Sequence, residues 1–331
     1  MKKTLLALAV AATATTVNAA EVFKSEDGSV NFYGQLRQEL KLLDDQDPTL
    51  SSGSSRVGVD AAYKVNDDFK VVGLVEISVR EDKDMYVRQH QIGFETATAG
   101  SFRFGKAFTI SDDVYGADYS YFFGGTALRY GTLSGAEHSS QIKYAYENEA
   151  FWVKAAYGLP EDNKEQELAE IFAGKSFGDL AVHVGGGVNT DKNFVGRFDL
   201  TNTYFEGTAE YTFGKALVGF TYYNATLEDN KNSHEINENA FSLAGTYNVA
   251  DKTTVYAGLE YTEQDPNFRD KEDGTVFYAG VEYKFASWAR VYAEYGYADG
   301  TTLGYTKDEV LIKGSTVDSE NNFGIGARVY W

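Results

Sequence analysis

Three aspartates grouped in one stretch of the chain, Asp112, Asp113 and Asp118, and three arginines in earlier segments, Arg37, Arg56 and Arg88, are the charged residues whose placement suggests a task. Acid facing base across a water-filled gap produces a transverse field that orders polar solutes and water by their dipoles. Bond-making chemistry has no comparable candidate. The four histidines, His90, His138, His183 and His234, are scattered, and none shares a recognisable spacing with a serine or an acid. A nucleophile, its base and an orienting group must lie within hydrogen-bond reach, and no such set is assembled here. There is no cysteine, so disulfides and thiolate metal sites are ruled out, and no metal or cofactor is expected. The formal net charge of −19 argues against nucleic acid as a partner, because phosphate binding needs clustered Lys and Arg.

A transverse field needs elements that bring acid and base to opposite sides of a cavity. The period of the chain is two almost everywhere. In 29–43 the even positions Val30, Phe32, Gly34, Leu36, Leu40 and Leu42 are mostly apolar, while Asn31, Tyr33, Gln35, Arg37, Glu39 and Lys41 are polar. That is a strand with one apolar and one charged face. Thr203–Phe213, Phe277–Phe285 and Phe323–Trp331 repeat the pattern, and about sixteen such segments can be counted. Only 3 prolines against 33 glycines, 24 tyrosines and 22 phenylalanines suit a chain that is nearly all paired strand. Glu161–Ile171 alone also carries helix-favouring Glu and Leu.

The connections alternate in length. Short turns fall at 66–68, 97–100, 147–149, 178–179, 214–215, 250–252 and near Ser287, and longer polar loops at 44–53, 108–138, 191–201, 227–238, 264–273 and 299–320. Short turns on one rim and long loops on the other are the pattern of outer-membrane barrels. Aromatics beside the short turns, Tyr63, Phe69, Tyr211, Phe213, Tyr247 and Phe285, fall on the apolar face and suit a girdle at the bilayer edge. At the N-terminus, Lys2 and Lys3, the small and apolar run Thr4–Val17 and then Val17-Asn18-Ala19 have the order of a cleavable secretory signal, with a cut expected after Ala19. Removing Lys2 and Lys3 takes −19 to −21. No stretch approaches the roughly 18 to 20 apolar residues of a transmembrane helix. The expectation is a signal peptide over 1–19 and, over 20–331, an all-β, 16-stranded antiparallel transmembrane β-barrel. In lipid every backbone polar group must be paired, so the sheet closes on itself with its apolar face outward.

A barrel of about sixteen strands is too wide for side chains to fill. The loop from Phe108 to His138 is far longer than the usual four to six residues, so it carries function or is disordered. Its Tyr115, Tyr119, Tyr121, Phe122, Phe123 and Tyr130, with bends at Gly116, Gly124 and Gly125, favour an ordered loop folded into the lumen. It brings Asp112, Asp113 and Asp118 opposite the lumen-side Arg37, Arg56 and Arg88. Gln89 and Gln91 fall on the outward parity of their strand, where a contact between protomers would satisfy their amides.

The chain resembles the general porins of Gram-negative outer membranes, in particular those of vibrio type. The residues that carry the resemblance are Ala20-Glu21-Val22-Phe23, Val30-Asn31-Phe32-Tyr33-Gly34, Ser55-Arg56-Val57-Gly58, Phe102-Arg103-Phe104-Gly105-Lys106, Phe123-Gly124-Gly125 and the closing Gly324–Trp331. The resemblance implies a homotrimer, passive diffusion of ions and small hydrophilic solutes, contact with outer-membrane lipid and lipopolysaccharide, and a third extracellular loop facing basic wall residues. Arg56 and Arg88 match wall arginines, Arg129 a third, and Asp118 a loop acid. Gln35 stands where many relatives carry a basic residue, and Phe122 where the loop usually has a glutamate. A less charged, more aromatic constriction follows. Trp331 stands in place of the commoner Phe as the C-terminal assembly signal.

The acidic balance suggests a mild cation preference. A sugar- or peptide-specific channel, using Tyr115, Tyr119, Tyr121 and Phe122 as an aromatic track, is the alternative; a membrane-embedded enzyme or an adhesin is less favoured.

Overall fold

The computed structural model describes residues 20–81, 83–127, 133, 136–160, 166–303 and 314–331. In chain order the strands are β1 (Ala20–Lys24), β2 (Gly28–Leu42), β3 (Thr49–Ser51), β4 (Arg56–Asn66), β5 (Phe69–Ser78), β6 (Val87–Thr96), β7 (Gly100–Phe108), β8 (Glu137–Glu147) and β9 (Trp152–Gly158). They continue as β10 (Gln166–Phe177), β11 (Leu180–Phe194), β12 (Phe198–Phe213), β13 (Ala216–Asp229), β14 (His234–Ala250), β15 (Thr253–Pro266), β16 (Glu272–Ala286), β17 (Ala289–Thr301) and β18 (Thr316–Tyr330). One short helix, α1 (Ile110–Asp113), follows β7. Every ladder is antiparallel, and β18 pairs back onto β2, from Phe323↔Leu42 to Tyr330↔Gln35. The short β1 and β3 only flank β2, so sixteen strands close the ring. All sixteen lie where the alternation placed them, and Gln166–Ile171 is strand.

The faces are those of a barrel in lipid. Val184, Phe205, Phe220, Leu243, Leu259, Phe277 and Ile325 point outward and are 40 % exposed or more. Carboxylates point inward instead: Glu76, Glu206, Glu260 and Glu294 are each 1 % exposed or less. A protein folded in water would reverse this arrangement. Tyr63, Tyr211, Phe213, Tyr247 and Phe285, beside the short turns, are about half exposed on the outer face, as a girdle requires. Two of those turns use Gly178 at φ +67° and Gly214 at φ +61°. Nothing lies within 4 Å of a Cβ built there, so the left-handed backbone alone selects glycine.

Two sequence expectations change. The regions 191–201 and 227–238 are mostly strand and 264–273 is half strand, leaving connections of 195–197, 230–233 and 267–271. β11 to β16 run 14 to 17 residues, beyond the roughly 9 to 11 that a membrane requires. Ladders standing in water carry polar residues on both faces, and their alternation fades into that of a loop. The second change is at β6. Gln89 pairs with Glu76 and Val87 with Ile77, which leaves Arg88 as the extra residue of a bulge. Arg88 and Gln89 therefore both face the lumen. Gln91 is buried and donates to Gln89 Oε1 at 2.7 Å, while His90 and Ile92 take the outer face. The two amides are satisfied by each other and give no trace of a protomer contact.

Candidate functional site

The segment 110–127 lies against inward-pointing side chains of the far wall. Glu170 on β10 accepts from Ile110 N–H at 2.6 Å and from the Ser111 hydroxyl at 2.8 Å. Thr221 on β13 accepts from Ala117 N–H at 2.7 Å, and Ser242 on β14 donates to Ala117 O at 2.6 Å. The Tyr278 hydroxyl on β16 accepts from Tyr119 N–H at 3.0 Å, and the Tyr119 hydroxyl donates to Glu210 on β12 at 2.6 Å. Glu294 on β17 accepts three consecutive amides, from Tyr121 at 2.5 Å, Phe122 at 3.1 Å and Phe123 at 2.7 Å. Glu260 on β15 accepts from Gly125 and Thr126 N–H at 2.7 and 2.8 Å and from Ala127 N–H at 3.2 Å. A loop held by inner-face groups of seven strands runs inside the barrel.

Packing reinforces these bonds. Ile110, Val114 and Ala127 join Trp152, Phe172, Tyr204 and Tyr223 in one buried cluster, and Tyr119, Tyr121 and Phe123 pack on Ala244, Tyr256 and Tyr278. Two inner-face glycines admit the loop aromatics closely. A Cβ at Gly296 would stand 2.4 Å from Phe123, and one at Gly324 would stand 2.6 Å from the Phe122 ring. Side chains from the loop thus pack against the inner wall from β9 to β18.

The arginines stand on the inner faces of β2, β4, β6, β17 and β18. Glu76 ties Arg56 and Arg88, Nε to carboxylate, at 3.2 and 2.8 Å. Arg37 on β2 directly opposes Arg328 on β18. Glu39 Oε1 lies 3.8 Å from Arg37 and 3.9 Å from Arg328. Arg290 is paired with Glu282 at 2.8 Å. The structure therefore brings Arg37, Arg56 and Arg88 onto one wall and adds Arg290 and Arg328. These last two sit on the inner parity of β17 and β18, which is the signal that points to them. Arg129 and Tyr130 lie outside the described residues.

The loop acids divide. Asp113 is ion-paired to Lys143 of β8. Burial, then the neighbouring charge of Asp113, pushes the Asp112 carboxyl up to about 7, while Lys143 and Arg88 oppose that rise. Burial, then the charge of Asp112, pushes the Tyr115 hydroxyl up to about 12, while Arg56 and Arg37 oppose that rise. Asp118 is turned elsewhere. It accepts from Ser120 N–H at 2.9 Å and interacts with the Tyr278 hydroxyl beside Glu260 on the far wall, where burial raises its carboxyl. The expected apposition of all three acids to the arginines is corrected to Asp112 and Asp113. Side chains in an irregular loop have no period from which to read direction. Phe122 and Phe123 pack on the wall, and Tyr121 stacks on Tyr292 at 3.9 Å between centroids. At the other end of the chain, the Trp331 indole covers Gly34 on the outer face. Among the described residues no group of three His, Cys, Asp or Glu is placed to hold a metal.

The profile of the Gram-negative porin family matches residues 6–303. Among solved structures, in-vitro folded OmpT, an outer membrane protein of Vibrio cholerae, is 60 % identical, with a TM-score of 0.87 over 94 % of this chain and all of that one. A trimer form of the same protein is 61 % identical, with a TM-score of 0.87 over 92 % of this chain. A major outer membrane protein of Pasteurella multocida is 25 % identical over the full length of both chains.

Proposed function

The chain belongs to the Gram-negative porin family and forms a diffusion channel across the outer membrane, and from that premise we propose that its selectivity is set where α1 and Tyr115 face Arg37, Arg56 and Arg88. The observation that carries this reading is the anchoring of 110–127 to the inner faces of seven strands, which holds the loop inside the barrel. Glu39 and Glu76 each lie between two arginines of the arginine wall and lower its field. Asp112 then tips the balance toward a mild cation preference. Asp118 serves to hold the loop. Ions and small hydrophilic solutes pass without a dedicated site for sugars or peptides, because Tyr119, Tyr121, Phe122 and Phe123 are engaged in packing against the wall.

We also propose that the functional unit is a homotrimer, as in the trimer form of the Vibrio cholerae relative, embedded among outer-membrane lipid and lipopolysaccharide. The mature chain begins at Ala20. Ala20 is paired with Phe32, and Trp331 exchanges backbone hydrogen bonds with Gly34 two residues along β2, so a cut after Ala19 sets the new amino end beside the carboxyl end.

Planar-bilayer recording tests the constriction. Asp112→Asn with Asp113→Asn should lower the cation preference read from the reversal potential in a KCl gradient, and Asp118→Asn should leave it in place. An unchanged reversal potential in the double variant would remove α1 from the account.

A further inference from the structure

Lys175 of β10 breaks a rule that the outer face otherwise keeps. On the strand halves next to the short turns it is the one charged side chain at an outward position among the described residues. Its direction follows from its neighbours. Ile171 and Phe177, at the same parity, are 61 % and 57 % exposed, whereas a Cβ at Gly174 would stand 2.4 Å from the inward Trp152 ring. A charge on the lipid face is costly at the bilayer midplane and tolerated near the interface. Across the ladders Lys175 pairs with Val182, and Phe177 with Leu180, which pairs in turn with Tyr211 of the girdle. Lys175 is therefore rooted one outward position inside the girdle, near the rim of short turns that faces the periplasm.

The long side chain resolves the conflict by reaching for the rim. Its ammonium lies 5.0 Å from the centre of the Phe177 ring, two residues closer to the turn. Other lysines near this rim have carboxylates of their own: Lys64 with Asp67 at 2.6 Å, Lys70 with Glu95 at 2.5 Å and Lys284 with Glu282 at 3.0 Å. Among the described residues no carboxylate pairs with Lys175. The half-exposed Phe151 extends the register of Val153↔Ala173 and Trp152↔Gly174 to a place beside Lys175. An ammonium with rings beside it at headgroup level, and no acid from the protein, is complementary to a phosphate.

We infer that Lys175 anchors the headgroup of one anionic phospholipid of the periplasmic leaflet. The lipid phosphate meets the ammonium, Phe151 and Phe177 flank the glycerol region, and an acyl chain passes toward mid-membrane over the row Val153, Ala173 and Val184. The site lies on the outside of the barrel and is independent of the constriction.

Native mass spectrometry of the folded protein in detergent tests this, with dioleoyl phosphatidylglycerol and dioleoyl phosphatidylcholine offered in equal amounts. The protein should retain phosphatidylglycerol, one per chain, in preference to phosphatidylcholine. Lys175→Gln should lower that preference about fivefold, the scale of one lysine beside an anionic headgroup. Lys175→Arg should keep it, and Lys64→Gln, which removes a lysine already paired, should change it little. Equal retention of the two lipids by the unaltered protein, or the same preference in Lys175→Gln, would overturn the site. Displacement of phosphatidylglycerol by millimolar inorganic phosphate would assign Lys175 to free phosphate and overturn the lipid as its occupant.

Discussion

Asp112 and Asp113 are neighbours of identical chemistry in different surroundings. Asp113 is neutralised by Lys143, while Asp112 is buried beside a like charge and its carboxyl stands at about 7. A raised carboxyl pKa means that the proton stays on as pH falls through that value. Asp112 is thus ionised above about pH 7 and neutral below it, and its share of the cation preference should fade between roughly pH 8 and pH 5.5. The reversal potential of wild type should fall over that window and that of Asp112→Asn should not; parallel curves would place the titrating group elsewhere. Legibility at this scale follows periodicity. Arg37 and Arg56 lie in regular strands, where parity gives the face, whereas Arg88 joins them on the inner side only through the bulge in β6. Asp118 lies in irregular backbone, and its direction depends on Tyr278, whose place across the barrel no local pattern carries. The inward glutamates were also visible by parity. Period two cannot separate a solvated wall acid from one such as Glu294, which closes on three amides more than 170 residues away.

Among the elements, the inward loop depends most on a few contacts. Three consecutive amides converging on one carboxylate form an anion-binding concavity, and here the protein's own Glu294 fills it, with the Tyr256 hydroxyl donating at 3.0 Å. Each hydrogen bond to a charged group contributes about 1.5–3 kcal/mol, so losing this clamp outweighs any single packing contact at the loop tip. Glu294→Ala should leave the barrel folded but free the segment around Tyr121–Phe123. The expected record is a noisier open-channel current with additional substates, and a quiet trace would shift the anchoring to Glu260 and Tyr278. The inward and outward faces of the regular strands were legible because a slip of one residue would turn every apolar side chain inward. The bulge at Arg88 was not, since an extra residue shifts parity without changing composition. Nor were the extensions of β11–β14, where polar residues on both faces erase the alternation.

For the whole molecule, closure is the requirement: an open edge in lipid would leave a row of amides and carbonyls unpaired. The seam between β18 and β2 pairs Phe323–Tyr330 with Gln35–Leu42, so it can close only once β18 is present. Trp331 sits at that seam. It accepts from Gly34 N–H at 2.9 Å and donates to Gly34 O at 3.2 Å, and its indole covers Gly34, where an added Cβ would stand 2.3 Å from the ring. The Phe32 ring is 6.1 Å away on the same face. The backbone bonds survive a side-chain change, so Trp331→Ala tests the ring alone. Removing a large aromatic from a packed site costs about 3–5 kcal/mol, while Trp331→Phe keeps most of the apolar contact. Refolding into detergent and comparing heated with unheated gel mobility should show Trp331→Ala slow to reach the closed barrel, with Trp331→Phe near wild type. Equal rates for all three would mean that the backbone of the last strand closes the seam without its terminal ring.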